Sequence, residues 1–359
     1  AANVKPETVI ARPDQYVGIT TWRGNDTQRD IRTLNMKSDL VWIKQRTGSA
    51  NHSLMDTVRG ATKNLVPNDT QSEGTETGYL NAFIDNGFSL GTSSIVNDAS
   101  NDYVAWCWKA GGNKNTFNVD DVGYASAAAA GLTGGDITPT GASVGTKQGF
   151  SIIEFTGSGS GTPSIPHGLS EAPTFIIQKD TEASTSWRAF AYDGSTWKIG
   201  NLNNTDAFVG ATETAPTSSL FYANGNGNAA NTQIAYLWHD VPGLQKFGIY
   251  EGNNNADGSF VELGFSPSIT LIKRIDSTDN WLLYDGTRRP INVNSRYLRP
   301  DSNLGENTGD AAGTGLDLLS NGFKLRSDSS ANNASETYFY AAWAEAPTVD
   351  LYGGGANAR

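Results

Sequence analysis

One pattern of strands is written three times in this chain, in the same order, and that recurrence limits the fold more than any other feature. An opening strand reads Tyr16-Val-Gly-Ile-Thr-Thr-Trp-Arg-Gly24, then Phe150-Ser-Ile-Ile-Glu-Phe-Thr-Gly157, then Phe247-Gly-Ile-Tyr-Glu-Gly252. A middle strand reads Leu40-Val-Trp-Ile-Lys44, Phe175-Ile-Ile-Gln-Lys179 and Ile269-Thr-Leu-Ile-Lys273. A closing strand reads Tyr103-Val-Ala-Trp-Cys-Trp108, Gln233-Ile-Ala-Tyr-Leu-Trp238 and Tyr338-Phe-Tyr-Ala-Ala-Trp343. Sequence differences of 59, 54 and 65 positions run from each middle lysine to the start of its closing strand, too similar to arise by accident.

Smaller marks repeat inside the copies. Asn86-Gly-Phe-Ser-Leu90 and Asn321-Gly-Phe-Lys-Leu325 carry the Asn-Gly pair of a tight hairpin, and the second copy lacks it. Asp193 and Asp285, each before a glycine, read as matched positions of copies two and three. Aromatic and β-branched runs broken by Gly, Asn, Asp and Ser clusters predict short strands and tight turns. Sustained 3.6-residue periodicity is missing, so little helix is expected.

The predicted fold is all-β: tandem antiparallel β-sandwich repeats, jelly-roll-like. Residues 1–15 form an N-terminal extension, 16–112, 148–243 and 244–347 the three repeats, and 348–359 a frayed tail. Residues 113–147, rich in Gly, Ala and Thr, read as a surface linker with too little apolar content to pack alone. Whether each repeat closes on itself or belongs to one continuous body is open at this stage.

Composition excludes several functions. A formal charge of −11 argues against a nucleic-acid backbone and against anionic lipid. No apolar run is long enough to span a membrane, and no secretory leader is read. The single cysteine, Cys107, lies in an apolar strand and reads as a small buried hydrophobe.

Chemistry is sparse. The three histidines, His52, His167 and His239, are far apart in sequence and read as turn or surface residues, with no spacing for zinc. Asn253, Asn255 and Asp257 imitate the start of a calcium loop, but Gly264 stands where its glutamate should be, which leaves a weak metal candidate. No nucleophile elbow occurs, so neither an enzyme nor a cofactor is expected. Trp22, Trp187, Trp197 and Trp281 lie near turns or strand ends and are the candidates for stacking on a sugar ring.

Leu40-Val-Trp-Ile-Lys-Gln-Arg46, Asp56-Thr-Val-Arg-Gly60, Tyr103-Val-Ala-Trp-Cys-Trp-Lys-Ala-Gly-Gly112, Ile165-Pro-His-Gly-Leu169 and Asn321-Gly-Phe-Lys-Leu325 together resemble a tandem-repeat family of virion proteins from marine and cyanobacterial tailed phages. The resemblance runs from about Tyr16 to Arg359. It implies a structural protein of the particle, assembled in the host cytoplasm and carried on the virion. A tail fibre or receptor-binding appendage engaging a host-surface glycan or receptor is expected first, a lectin-like module or a capsid-decoration or tail-scaffold protein second. Other virion proteins are the expected partners, and analogy with fibres implies a homotrimer. No catalytic motif transfers.

Overall fold

A computed structural model describes residues 10–193, 195–208, 214–223, 225–307, 313–349 and 355–356. The protein is all-β, and its one α-helix among the described residues is the single turn Ser94–Asn97. The tail 348–359 and the extension 1–15 lie largely outside the described residues.

Each repeat builds the same large sheet, with the closing strand between the opening and middle strands and a third strand on the far side of the middle one. In chain order (opening, middle, third, closing) these are Val17–Arg23, Leu40–Gln45, Ser53–Asp56 and Asp102–Trp108 in the first repeat. They are Phe150–Thr156, Phe175–Asp180, Arg188–Tyr192 and Thr232–Trp238 in the second, and Gln245–Glu251, Pro267–Arg274, Leu282–Asp285 and Thr337–Ala344 in the third. A smaller sheet covers one face of each: Arg29–Ile31, Leu80–Ile84 and Gly87–Leu90; Ser164–Pro166 and Leu220–Tyr222; Phe260–Glu262, Leu316–Leu319 and Gly322–Leu325.

Strand register fixes the correspondence between repeats. Trp108, Trp238 and Trp343 stand opposite Leu40, Phe175 and Ile269 in the middle strands. The same three face Val17, Phe150 and Gln245 in the opening strands. Asp56 and Asp285 pair with Leu40 and Ile269, whereas Phe175 pairs with Ala191. The partner of Asp285 in the second repeat is therefore Ala191, not Asp193, which lies two residues farther on. The shared Asp-Gly letters come from different places in the two repeats, because turn residues recur wherever strands end.

Each sandwich has its own interior. The first holds Trp22, Val41, Phe88 and Tyr103, the second Ile153, Phe155, Ile176 and Phe221, the third Tyr250, Ile272, Phe323 and Tyr338. A fourth interior belongs to all three. The opposite faces of the large sheets meet there through Trp42, Trp106 and Trp108, Ile177, Tyr236 and Trp238, and Leu271, Leu283 and Trp343. The large sheets are thus covered on both faces, which is why Leu40–Gln45 and Phe175–Asp180 are buried at every residue rather than alternately. Each aromatic ring withdrawn from water here contributes about 3 kcal/mol of transfer free energy.

Glycines end the opening strands for a steric reason that is the same in all three. A Cβ on Gly24, Gly157 or Gly252 would lie 1.9 Å from the Asp98 carbonyl oxygen, 2.0 Å from that of Ala229 or 1.8 Å from that of Ala334.

Residues 113–147 are not a free linker. Phe117–Val119, Val122–Tyr124 and Gly141–Gly145 are strands that extend the second repeat's large sheet, the last pairing antiparallel with the opening strand Phe150–Thr156. Phe117, Ala127, Leu132, Ala142 and Val144 enter that repeat's interior. The small residues that argued against packing are what lets this segment approach closely. Gly111 is pressed against Val144, where a Cβ would come within 2.5 Å of its backbone nitrogen.

Candidate functional site

The residues with unusual chemistry converge on the junctions between repeats. His52, Trp187 and Trp281 open the third strands at matching positions. Their backbone N–H groups donate to Asn68 Oδ1 at 2.8 Å, Asn203 Oδ1 at 2.8 Å and Asp301 Oδ1 at 3.1 Å. Their ring nitrogens then cross to another repeat: Trp187 Nε1 donates to the Val66 carbonyl at 2.8 Å, Trp281 Nε1 to Asn201 at 2.9 Å, and His52 Nε2 to Arg299 at 3.0 Å. The second repeat holds the first, the third holds the second, and the first holds the third. The ring is closed.

A second set of bonds follows the same circuit. The backbone N–H of Glu73 donates to the Thr181 carbonyl at 2.8 Å, that of Phe208 to Ile275 at 2.9 Å, and that of Glu306 to Arg46 at 2.7 Å. These acceptors each lie two residues past the middle-strand lysines. Lys44, Lys179 and Lys273 are themselves buried, and each Nζ donates to turn carbonyls: Gln45 at 2.7 Å, Asp180 at 2.8 Å and Asp279 at 2.7 Å. Burial lowers all three ammonium groups to about 8. Lys44 and Lys179 pin their own turns, and Lys273 also donates to the Thr205 carbonyl of the second repeat at 3.0 Å.

Two junctions carry a buried ion-pair triad and one does not. Asp56 and Arg59 form an ion pair at 2.6 Å, and Arg59 continues to Glu73 at 3.2 Å. Asp285, Arg288 and Glu306 repeat that triad. Each aspartate also takes a hydrogen bond from the neighbouring closing strand: Asp56 from the Tyr236 hydroxyl at 2.7 Å, Asp285 from Trp106 Nε1 at 3.0 Å. The corresponding pair between repeats two and three is Ala191 and Ala341, and Phe208 stands where Glu73 and Glu306 stand. Donor, acceptor and glutamate have all been replaced by apolar groups, so nothing polar is stranded.

Trp108, Trp238 and Trp343 close one end of the shared interior as a triangle of edge-to-face rings, with centroids 5.4, 6.0 and 6.3 Å apart. Their indole N–H groups meet no nitrogen or oxygen acceptor among the described residues. This centre is an apolar plug.

None of the four tryptophans expected to stack on sugar presents a ring to solvent. Trp187 and Trp281 are fully buried in the shared interior. Trp197 is buried in the second sandwich, and Trp22 lies stacked on Tyr103 with Nε1 bonded to the Val96 carbonyl. Strand-end position alone misled here, because the ends that carry Trp187 and Trp281 face another repeat, and Trp22 and Trp197 turn into their own sandwiches. All three histidines are buried rather than on the surface; His167 caps its turn, its Nδ1 accepting from the Leu169 N–H at 3.0 Å, and burial lowers His52 and His167 to about 3 and about 4. Cys107 is buried as expected, its thiol pushed up to about 12 by burial.

The weak metal candidate is a turn. Asn253 Oδ1 accepts from the Asn255 backbone and from Asn333 Nδ2, Asn255 Oδ1 accepts from the Asp257 backbone, and Asp257 pairs with Lys324 at 2.7 Å. Its oxygens face N–H donors. No group of three or more His, Cys, Asp or Glu side chains could hold a metal ion among the described residues. Asn333 belongs to a trio that the sequence reading missed. Asn97, Asn228 and Asn333 are buried at matching places before their closing strands, each donating through Nδ2 to loop carbonyls. A shared Asn four or five residues before the closing strand was the signal.

A family model described as a domain of unknown function, DUF7483, matches residues 12–347. The chain belongs to the DUF7483 family. The match spans the whole closed ring, so a DUF7483 domain is here all three sandwiches together, not one repeat. Neither a curated protein nor a solved structure matches the chain. In this DUF7483 chain His52, Asp56, Trp187, Trp281 and Asp285 hold repeats together.

Proposed function

We propose that the chain is a non-enzymatic structural component of a tailed-phage virion, a tail fibre or receptor-binding appendage that engages the host surface. Two things support this reading: the motif resemblance described above, and the use made of the chain's reactive residues. The observation that carries it is the closed ring of inter-repeat bonds. His52, Asp56, Asp285, Arg59 and Arg288, the groups an enzyme would expose to substrate, are spent on rigidity. A rigid body with outward loops suits attachment. The proposed partners are other virion proteins, further copies of the chain in a homotrimer, and a host glycan or receptor.

Imaging of intact particles labelled with an antibody against this chain tests the reading. Label at the tail or its appendages is expected, and particles that carry none of the protein would overturn it.

A further inference from the structure

The three repeats differ at one edge of their large sheets, and the difference points to a partner. In the second repeat the opening strand Phe150–Thr156 is covered by Gly141–Gly145, whose Ser143 lies opposite Ile152. Ile152 is fully buried. By register its counterparts are Ile19 in the first repeat, which is only partly buried, and Phe247 in the third. The first repeat therefore keeps an apolar side chain suited to a covering strand, with none of the sheets' strands beyond it.

Backbone parity leaves the matching groups outward. Tyr16 accepts from the Lys109 N–H and Gly24 donates to the Asn101 carbonyl, so even-numbered residues of this strand bond the closing strand. Val17, Ile19, Thr21 and Arg23 then point their N–H and C=O groups away from it. Beside them runs a groove of about 200 Å³, lined by Val17, Gly18, Ile19, Thr287 and Ala346 among others. Thr287 corresponds to Val58, whose Cγ1 lies 2.9 Å from where a Cβ on Gly141 would be. The groove thus occupies the place, relative to the first repeat, that the covering strand occupies relative to the second. Ala346 stands where Gly111 does, so an incoming strand sits slightly farther out.

We propose that the opening strand Val17–Arg23 is a docking edge that accepts an extended, Gly/Ala/Ser-rich strand from a neighbouring protein chain, antiparallel, in the position that Gly141–Gly145 fills in the second repeat. Main-chain hydrogen bonds supply the affinity, and the close approach of Thr287 and Ala346 selects small side chains. The inference rests on sheet geometry alone and stands or falls separately from the virion reading.

The probe is a synthetic peptide with the sequence of residues 138–147, titrated to millimolar concentration into the intact chain. Two versions are compared, one N-methylated at the position of Ser143, which faces the opening strand, and one at that of Ala142, which donates to the Thr116 carbonyl on the other side. Saturable binding is expected, with slowed amide exchange at Val17, Ile19 and Thr21. Methylation at Ser143 is expected to weaken it at least tenfold, and methylation at Ala142 less than twofold. Absent binding, equal effects of the two methyl groups, or protection confined to Phe150–Thr156 would overturn the proposal.

Discussion

The hydroxyl of Tyr236, on the closing strand of the second repeat, donates a 2.7 Å hydrogen bond to the carboxylate of Asp56 in the first. Trp106 and Asp285 make the same bond one junction round the ring, and Ala191 and Ala341 replace both partners at the third. Nature has thus performed a paired deletion within one molecule.

That comparison predicts strong asymmetry among single substitutions. Asp56→Ala leaves Arg59 buried without its aspartate and is expected to cost about 3–5 kcal/mol, whereas Tyr236→Phe removes one neutral donor and is expected to cost about 1–2 kcal/mol. Ala191→Asp, which buries a carboxylate at a junction lacking the arginine, is expected to destabilise by several kcal/mol. Urea unfolding of the three variants checks the order, and Asp56→Ala matching Tyr236→Phe would contradict it.

The shared interior predicts a single unfolding transition rather than three. Trp108, Trp238 and Trp343 come from different repeats yet touch one another, so no sandwich can open without exposing the others. Calorimetry should give one peak whose calorimetric and van't Hoff enthalpies agree. Trp108→Ala should lower the midpoint through a cost of about 3–5 kcal/mol, with resolved separate transitions in the native chain counting against a common core.

Acid sensitivity should be traceable to His52. Burial holds its folded pKa near 3, while the unfolded chain binds a proton near the ordinary value of about 6.5. The unfolded state therefore takes up a proton that the folded state refuses, and stability falls as pH drops from about 6.5 towards 3, by on the order of 4 kcal/mol. The difference between native chain and His52→Asn, followed by denaturant midpoints across that range, should shrink as pH falls. A difference that does not change with pH would show that His52 is not the responsible group.

Glycine substitutions should separate sterics from backbone freedom. Gly24→Ala, Gly157→Ala and Gly252→Ala place a methyl group within 2.0 Å of a carbonyl oxygen and are each expected to cost about 2–3 kcal/mol or more. Gly60→Ala meets nothing within 4 Å, but its φ of +107° should cost about 1–2 kcal/mol. Thermal melts of the four variants measure the contrast, and a Gly60 variant worse than the other three would refute the steric account.

Strand identity, the threefold recurrence and the all-β class were legible in the sequence, because β-branched and aromatic runs and turn residues act over a few positions. What only the tertiary structure decided was how the copies meet. Bonds such as Trp187 to Val66 and His52 to Arg299 join residues far apart along the chain, and no local pattern encodes which repeat lies beside which. The same limit hid the fates of Trp187 and Trp281, since a sheet's second face looks solvent-exposed until another repeat covers it. It also hid the role of Gly141–Gly145, whose small side chains forbid an independent core yet permit the close backbone approach that seals the second repeat's edge.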